Sequence, residues 1–254
     1  MGVGVVVNIP SMEKPKTYAI AYLDLLGTTS KIVNDEDGLY LFRIRAIYNM
    51  AVQFTGNEKP LVSNYSRIET KIFSDNIVMA IPLDSDHDID GIICLLKFVA
   101  IFQHYAAIQS NWLIRGGVTI GELFIDKLLV WGSGLVRAYK LEDSIAIFPR
   151  IVIDRNVLEI IGSDSFFFCQ DIDGQFFLNF LNFMDYRDSE NNDNFIETIQ
   201  KSFVRLLSEI KKPNGGYDER SYQKLQWYKN YINLWSKKRY PGSSSSPISN
   251  SIID

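Results

Sequence analysis

The chain has 254 residues and a mass of 29.1 kDa, with 46% apolar and 13% aromatic residues, which excludes a disordered, collagenous or coiled-coil protein. A net charge of −4 and a pI near 5.3 give no sign of the basic face expected of a general nucleic-acid binder. Two cysteines (Cys94, Cys169) and two histidines (His87, His104) are too few for a zinc site or a disulfide framework, so chemistry must fall to carboxylates, metals and basic side chains.

Residues 1–16 read as a lead-in broken by Pro10 and Pro15. Gly2–Val7 is apolar but too short and unflanked for a signal peptide, Val6 spoils a myristoylation pattern, and no run is counted near the ~20 residues of a membrane span. A cytoplasmic protein without membrane or nucleic-acid partners is therefore expected. Tyr18–Leu26 predicts a buried strand ending at Gly27, followed by a helix capped by Thr28, Thr29 or Ser30. That helix is predicted to reach Phe54 with Ile32, Leu39, Phe42, Ile47 and Val52 turned inward. Ile68–Phe73 and Ile77–Ile81 predict a hairpin with Ser74-Asp75-Asn76 at its tip. Asp84–Asp88 suits a helix start, and Ile89, Ile92, Leu96, Val99, Phe102 and Ala106 recur at helical spacing. Trp112–Ile125 completes β-α-β-β-α-β, an α+β, ferredoxin-like order with an antiparallel sheet.

Beyond this core (17–145), an elaboration over 146–240 is expected within one domain spanning 17–240. A helix is predicted over Leu135–Ala146, a strand over Pro149–Asp154, and a hairpin over Phe166–Phe180 turning at Asp171–Gly174. Two helices follow near Phe195–Ile210 and Glu219–Trp235, and a Ser-rich, disordered tail from Pro241. Asp171-Ile-Asp-Gly174 lacks the downstream Glu of a calcium loop, so a turn is preferred. Phe166–Phe168, Phe176, Phe177 and Cys94 read as core, Lys237–Arg239 as solvated, His87 as a cap-region residue and His104 as a helix-face residue.

Asp24 interrupts an apolar strand two residues before the Leu26-Gly27 turn, and Asp75 sits at the hairpin tip. In this topology both can converge at one sheet edge. Two carboxylates and a backbone carbonyl are hard ligands for Mg²⁺ or Mn²⁺; equally, each Asp can be a strand-end turn residue. Gly27-Thr28 before a helix can cradle an anion, or serve only as the turn. Arg115, on the strand next to the first, can clamp phosphate or be a surface arginine.

Four segments taken together resemble class III nucleotidyl cyclases over residues 17–145. They are Tyr22-Leu-Asp-Leu-Leu-Gly-Thr28, Lys71-Ile-Phe-Ser-Asp-Asn76, Leu113-Ile-Arg-Gly-Gly-Val-Thr-Ile-Gly121 and Val130-Trp-Gly-Ser-Gly-Leu-Val-Arg-Ala-Tyr-Lys-Leu-Glu142. With Pro149–Asp154 and Trp227–Asn233, the likeness is greatest to the pyrimidine cyclases of bacterial Pycsar anti-phage systems, whose product switches on an effector. The resemblance implies two divalent ions, Mn²⁺ or else Mg²⁺, held by Asp24, the carbonyl of Leu25 and Asp75. It assigns Tyr22, Gly27, Thr28, Lys71 and Arg115 to the substrate, Arg115 to its phosphates and Lys71 to the base. Lys140 matches a transition-state arginine. It further implies a head-to-tail homodimer with shared sites. Val136 replaces a ribose-positioning Asn and Leu129 an adenine-reading Asp, which favours a pyrimidine triphosphate, UTP or CTP. Non-catalytic cyclase-like modules, adenylyl cyclases and palm polymerases are the competing readings.

Overall fold

A computed structural model describes residues 14–56, 65–85, 87–183, 192–213, 215–239 and 248. The lead-in before residue 14, Asp86, and all of the tail except Ile248 lie outside them. The first strand, β1 (Lys16–Leu25), is followed by α1 (Thr29–Val33), α2 (Leu39–Gly56) and a hairpin of β2 (Glu69–Phe73) and β3 (Asn76–Pro82). Then come α3 (Ile89–Ser110), β4 (Ile114–Ile125), β5 (Val130–Trp131), α4 (Ser133–Ser144), β6 (Ile151–Ile153) and α5 (Arg155–Ile161). The chain continues with β7 (Phe168–Gln170), β8 (Phe176–Leu178), α6 (Asn192–Glu209) and α7 (Glu219–Arg239).

The sheet runs β2-β3-β1-β4-β6-β8-β7, with β5 paired to the end of β4. Its first four strands are antiparallel in the ferredoxin-like order expected from the sequence, and β4–β6 is the parallel pairing. Strand alternation divides β1 between two cores. Ala19, Ala21, Leu23 and Leu25 join Ile44, Ile47 and Ala51 of α2 and the apolar side of α3, a cluster that α6 and α7 extend. Tyr18 and Ile20 face the other way, onto Val78, Ala80, Leu123 and Ala138 of α4. Tyr22 and Asp24 continue that second face towards the strand end.

Local chemistry explains where the elements depart from the expected ones. The single helix after Gly27 is two, because Gly38 takes φ +67° and the Asp35 carboxylate accepts from the amides of Tyr40 and Leu41, starting α2 afresh. Along α2, Ile47 points inward as expected, with Ile44 and Ala51 at helical spacing from it, whereas Leu39, Phe42 and Val52 are exposed; Phe42 and Val52 lie five residues from Ile47 and so fall off its face. Asp88 caps α3 by accepting from Gly91 N–H at 2.9 Å, as the acidic start predicts, although Ile89 is exposed. At 22 residues α3 does reach membrane-spanning length, which the sequence count missed; 83% of its apolar window is buried in this fold, so it serves as the core helix. The short α5 went unforeseen, although Asp154 before it and Gly162 after it are a cap pair.

The Asp171–Gly174 turn is a hairpin turn, and its carboxylates are committed to Arg150. That guanidinium is 1% exposed and pairs with Asp171 and Asp173 while donating to the Ile145 carbonyl. Trp227 of α7 donates to Asp171 at 2.7 Å and stacks on Phe148, tying the C-terminal helix to the same anchor. Within the tail, Ile248 departs from the disorder expected. It is buried and exchanges two hydrogen bonds with Asn233, at 3.0 and 3.1 Å. Cys94 is core, its thiol pushed up to about 12 by burial.

His104, buried on α3 and stacked on Phe195, is held neutral by desolvation, its pKa pushed down from 6.5 to about 3. The unfolded chain takes up a proton that the folded state refuses, so stability falls as pH drops from about 6.5 towards 3, by up to ~1.4 kcal/mol per unit. Urea unfolding across pH 4.5–7 should show this slope in the wild type and a shallower one in His104→Phe; equal slopes would exclude the histidine as its source.

Candidate active site

The site is built at one end of β1, on the sheet face that α4 shares. In register, Asp24 lies between Asn76 of β3 and Arg115 of β4, and Tyr22 between Val78 and Gly117. The β2–β3 turn needs only Ser74 and Asp75, with Ser74 at φ +60°. It closes onto β1 where the Leu25 amide donates to the Asp75 carbonyl at 2.9 Å. Asp24 and Asp75 thus stand at the ends of adjoining strands, as the sequence argument required.

The Asp24 carboxylate accepts from Arg115 Nε at 2.8 Å. The other arm of Arg115 reaches Glu142 of α4, with Nη2 2.8 Å from Oε1, the distance of an ion pair without hydrogen-bond alignment. Arg115 is therefore held between two carboxylates. Burial opposes its charge, but the bond to Asp24 and the negative charges of Glu142, Asp24 and Asp143 outweigh it and raise its pKa. Glu142 is 3% exposed, and burial pushes its carboxyl from 4.5 up to about 7, with Arg115 pulling down and Asp24 and Asp143 pushing up. Desolvation is the larger influence despite the ion pair.

Tyr22 donates to Asn76 Oδ1 at 2.7 Å and meets Tyr139 edge-on, with ring centroids 5.5 Å apart. Its phenol is pushed up to about 12 by burial, then by the charges of Glu142 and Asp24 and by Tyr139 and Asp75. Lys224 of α7 is half-buried and lies within electrostatic reach of Arg115 and Asp24; burial first, then Arg115, lowers its pKa.

The other expected residues are placed less centrally. Gly27 takes φ +71°, and Thr28 is the residue whose carbonyl receives the first bond of α1, from Ile32 at 2.8 Å. Its buried hydroxyl turns back to the Leu25 carbonyl at 2.7 Å, and the five-residue α1 offers only a short dipole to an anion. Lys71 shares Asp24's sheet face, but on β2, in line with Val78 and Tyr22, and within the field of Asp126. Lys140 is exposed on α4 along with Val136 and Tyr139, opposite the side that carries Ala138 and Glu142. Leu129 sits half-exposed in the β4–β5 turn, its amide bonded to Asp126 at 2.8 Å.

Among the described residues no group of three or more His, Cys, Asp or Glu side chains is arranged to hold a metal. The donors that are present are carboxylate and carbonyl oxygens, the chemistry that Mg²⁺ and Mn²⁺ require, so the set fits a hard divalent ion. Glu142 and Lys224 were missed by sequence reasoning. The Ala138–Glu142 segment held the clue to the first, since Glu142 falls four residues after Ala138 on the sheet side of α4; nothing local marked the second.

No protein-family model matches the chain, and no curated protein matches it. Among solved structures, it is similar to the adenylyl cyclase CyaB from P. aeruginosa at 13% identity and a TM-score of 0.47, over 66% of this chain and 95% of that one. It is similar to an adenylate/guanylate cyclase/hydrolase from Silicibacter pomeroyi at 15% identity and 0.43, over 65% and 95%. The guanylyl cyclase domain of the RhoGC fusion protein from Blastocladiella emersonii gives 13% identity and 0.39, over 65% and 95%.

Glu142 reaches Arg115 because α4 lies unusually close to β4. A Cβ at Gly117 would stand 2.4 Å from Leu141 Cβ and 2.5 Å from the Ala138 carbonyl. Gly117→Ala should therefore lift the helix and cost ~1–3 kcal/mol in denaturant unfolding; an unchanged midpoint would show that the helix seat is compliant.

Proposed function

We propose that the protein is a nucleotide cyclase that converts a pyrimidine nucleoside triphosphate, UTP first and CTP second, to its 3′,5′-cyclic monophosphate and pyrophosphate. The observation that carries this reading is Asp24 and Asp75 at the ends of adjoining strands, with Arg115 opposite Asp24. In the reaction the ribose 3′-oxygen bonds to the α-phosphorus, the α–β phosphoanhydride breaks, and the hydroxyl proton is lost. Asp24, the Leu25 carbonyl and Asp75 are the groups that would hold divalent ions, Mn²⁺ or Mg²⁺; such ions, when bound, supply neutralisation of triphosphate charge. Arg115 offers a guanidinium beside the same carboxylates, and Lys71 lies on the same sheet face two strands away, on the side proposed for the base. The resemblance of four ordered sequence segments supports the cyclase class, and that of Pro149–Asp154 and Trp227–Asn233 supports a Pycsar-type messenger acting on an effector.

The position of Lys140 supports a shared site. It is exposed on α4, on the side opposite the buried Ala138 and Glu142, one helical turn from the exposed Val136. An exposed lysine on that side is open to a second copy of the chain, which would bring Lys140 of one protomer to the carboxylates of the other. A non-catalytic nucleotide-binding module is the second reading, favoured by one observation: Arg115 is already occupied by Asp24 and Glu142.

Asp24→Ala and Asp75→Ala should each abolish cyclic-nucleotide formation in the presence of Mn²⁺ while leaving the melting transition in place, since a two-metal site loses its function with either carboxylate. Near wild-type turnover by either variant, measured by mass identification of products, would end the assignment. Mixing Asp75→Ala with Lys140→Ala should restore activity in at most about half of the dimers, because only mixed dimers regenerate a complete site. No recovery despite demonstrated subunit exchange would place both residues in one protomer's site.

Base choice is tested by competition among equal UTP, CTP, ATP and GTP. Leu129 offers no acceptor to an adenine amino group, so a pyrimidine triphosphate should lead ATP by at least ~10-fold in kcat/KM, about 1.4 kcal/mol. Dominant cyclic AMP would overturn the pyrimidine assignment and keep the cyclase; no cyclisation of any triphosphate would leave the non-catalytic reading.

A further inference from the structure

Glu142 has no role in the reading above, yet it is the most deeply buried carboxylate at the site. Its side chain is 4% exposed on the sheet side of α4, and its oxygen lies 2.8 Å from Arg115 Nη2. Arg115 Nε donates to Asp24 at 2.8 Å. One guanidinium thus bridges a buried carboxylate on the helix and a more open one on the strand, whose side chain is 17% exposed. Gly117, where a Cβ would meet Leu141 Cβ and the Ala138 carbonyl, lets this part of α4, and with it Glu142, lie close to β4.

A guanidinium beside Asp24 has two opposing consequences. It orients the carboxylate, and its positive charge repels any cation that the carboxylate would take. A second anion on the far arm cancels much of that repulsion and gives the guanidinium an anchor that does not depend on Asp24. When Asp24 turns to a cation, Arg115 keeps one partner and stays beside the site.

We infer that Glu142 is a positioning residue that acts through Arg115: it anchors the guanidinium on α4 and offsets its charge, so that Asp24 can bind a divalent cation with Arg115 still in place. This rests on the proposed cation site at Asp24 and Asp75, and extends it to a residue that touches neither substrate nor ion.

The test is a double-mutant cycle on the full-length protein, read as Mn²⁺ affinity from the free-ion electron paramagnetic resonance signal. Glu142→Gln keeps the side-chain volume and should weaken Mn²⁺ binding about tenfold, with Glu142→Asp in between, while thermal melts check the fold. In an Arg115→Met background the same Glu142→Gln change should alter affinity by less than about twofold, because its effect runs through the guanidinium. Equal losses in both backgrounds, or no loss in either, would overturn the inference, as would a wild type that binds no Mn²⁺. Turnover separates this from the functional reading. Coupling in Mn²⁺ affinity without cyclisation of any triphosphate would sink the cyclase and leave the role of Glu142 standing. Cyclisation without coupling would do the reverse.

Discussion

The seat of α4 on β4 is the constraint on which the site depends. Sheet and helix normally keep a layer of side chains between them, and here glycine removes it. Gly117 faces Leu141 and Ala138, and Gly121 faces Gly134 so closely that a Cβ on the former would stand 2.8 Å from the latter's Cα. Gly134 in turn leaves room for Ile20 of β1, whose Cδ1 would be 2.4 Å from an added Cβ. This close approach gives the second sheet face its small core of Tyr18, Ile20, Val78, Ala80, Leu123 and Ala138. It also fixes the height of Glu142 above the strands. A longer separation would leave the same residues in the same order with no contact between Glu142 and Arg115.

The C-terminal elaboration is tied to that end of the sheet. The Gly116 amide, next to Arg115, donates to the Arg150 carbonyl at 3.1 Å, so the strand that carries the site arginine is braced by the residue whose own guanidinium is most deeply buried. Arg150 collects Asp171 and Asp173 from the β7–β8 turn, and Trp227 joins Asp171. A buried arginine is tolerable only with its charge matched and most of its donors used; here the β7–β8 turn supplies both carboxylates and the end of α4 the Ile145 carbonyl. One helical turn before Trp227 lies Lys224, whose electrostatic neighbours are Arg115 and Asp24. The residues after 146 thus bring a charge to the site as well as enlarging the core.

Much of the fold could be read from the sequence, because the signals were short-range. β1, the hairpin tip at Asp75, the Asp88 cap and the β-α-β-β-α-β order all follow from apolar period and turn residues a few positions apart. The failures have a common cause in side-chain chemistry that competes with periodicity. Asp35 and Gly38 restart a helix that apolar spacing alone would have carried through, and within it Phe42 and Val52, five residues from the inward Ile47, lie off the buried face. Asp154 serves as the cap of α5 and as partner to Arg137 and Thr119, so a residue read as a strand end in fact begins a helix. At the site, Asp24 was legible as a polar break in an apolar strand and Asp75 as a hairpin tip, and the four ordered segments that resemble the cyclases singled them out together with Arg115. Glu142 was not, since a Glu on an amphipathic helix looks solvated until the glycines opposite it are known to face that helix.

The charge balance at the sheet end bears on how the carboxylates behave. Asp24, Asp75 and Glu142 are three potential anions; Arg115 and Lys224 are two cations, both opposed by burial, with Lys224 lowered further by Arg115. With Asp143 as a further anion acting on Arg115 and Glu142, the carboxylates outnumber the cations, and protonation of Glu142, whose pKa is pushed to about 7, narrows the difference. A polyanion approaching such a surface gains little from the chain alone, because attraction to Arg115 is offset by the carboxylates around it. Added positive charge at Asp24 and Asp75 would change the sign of that field without moving the backbone, since β1, β3 and β4 are fixed by their ladders on both sides of Asp24. The rigidity of the sheet and the crowding of opposite charges therefore work together. The strands hold the carboxylates in place, and the excess of negative charge means that an anion would be drawn to this end of the sheet only after those carboxylates had taken up positive charge.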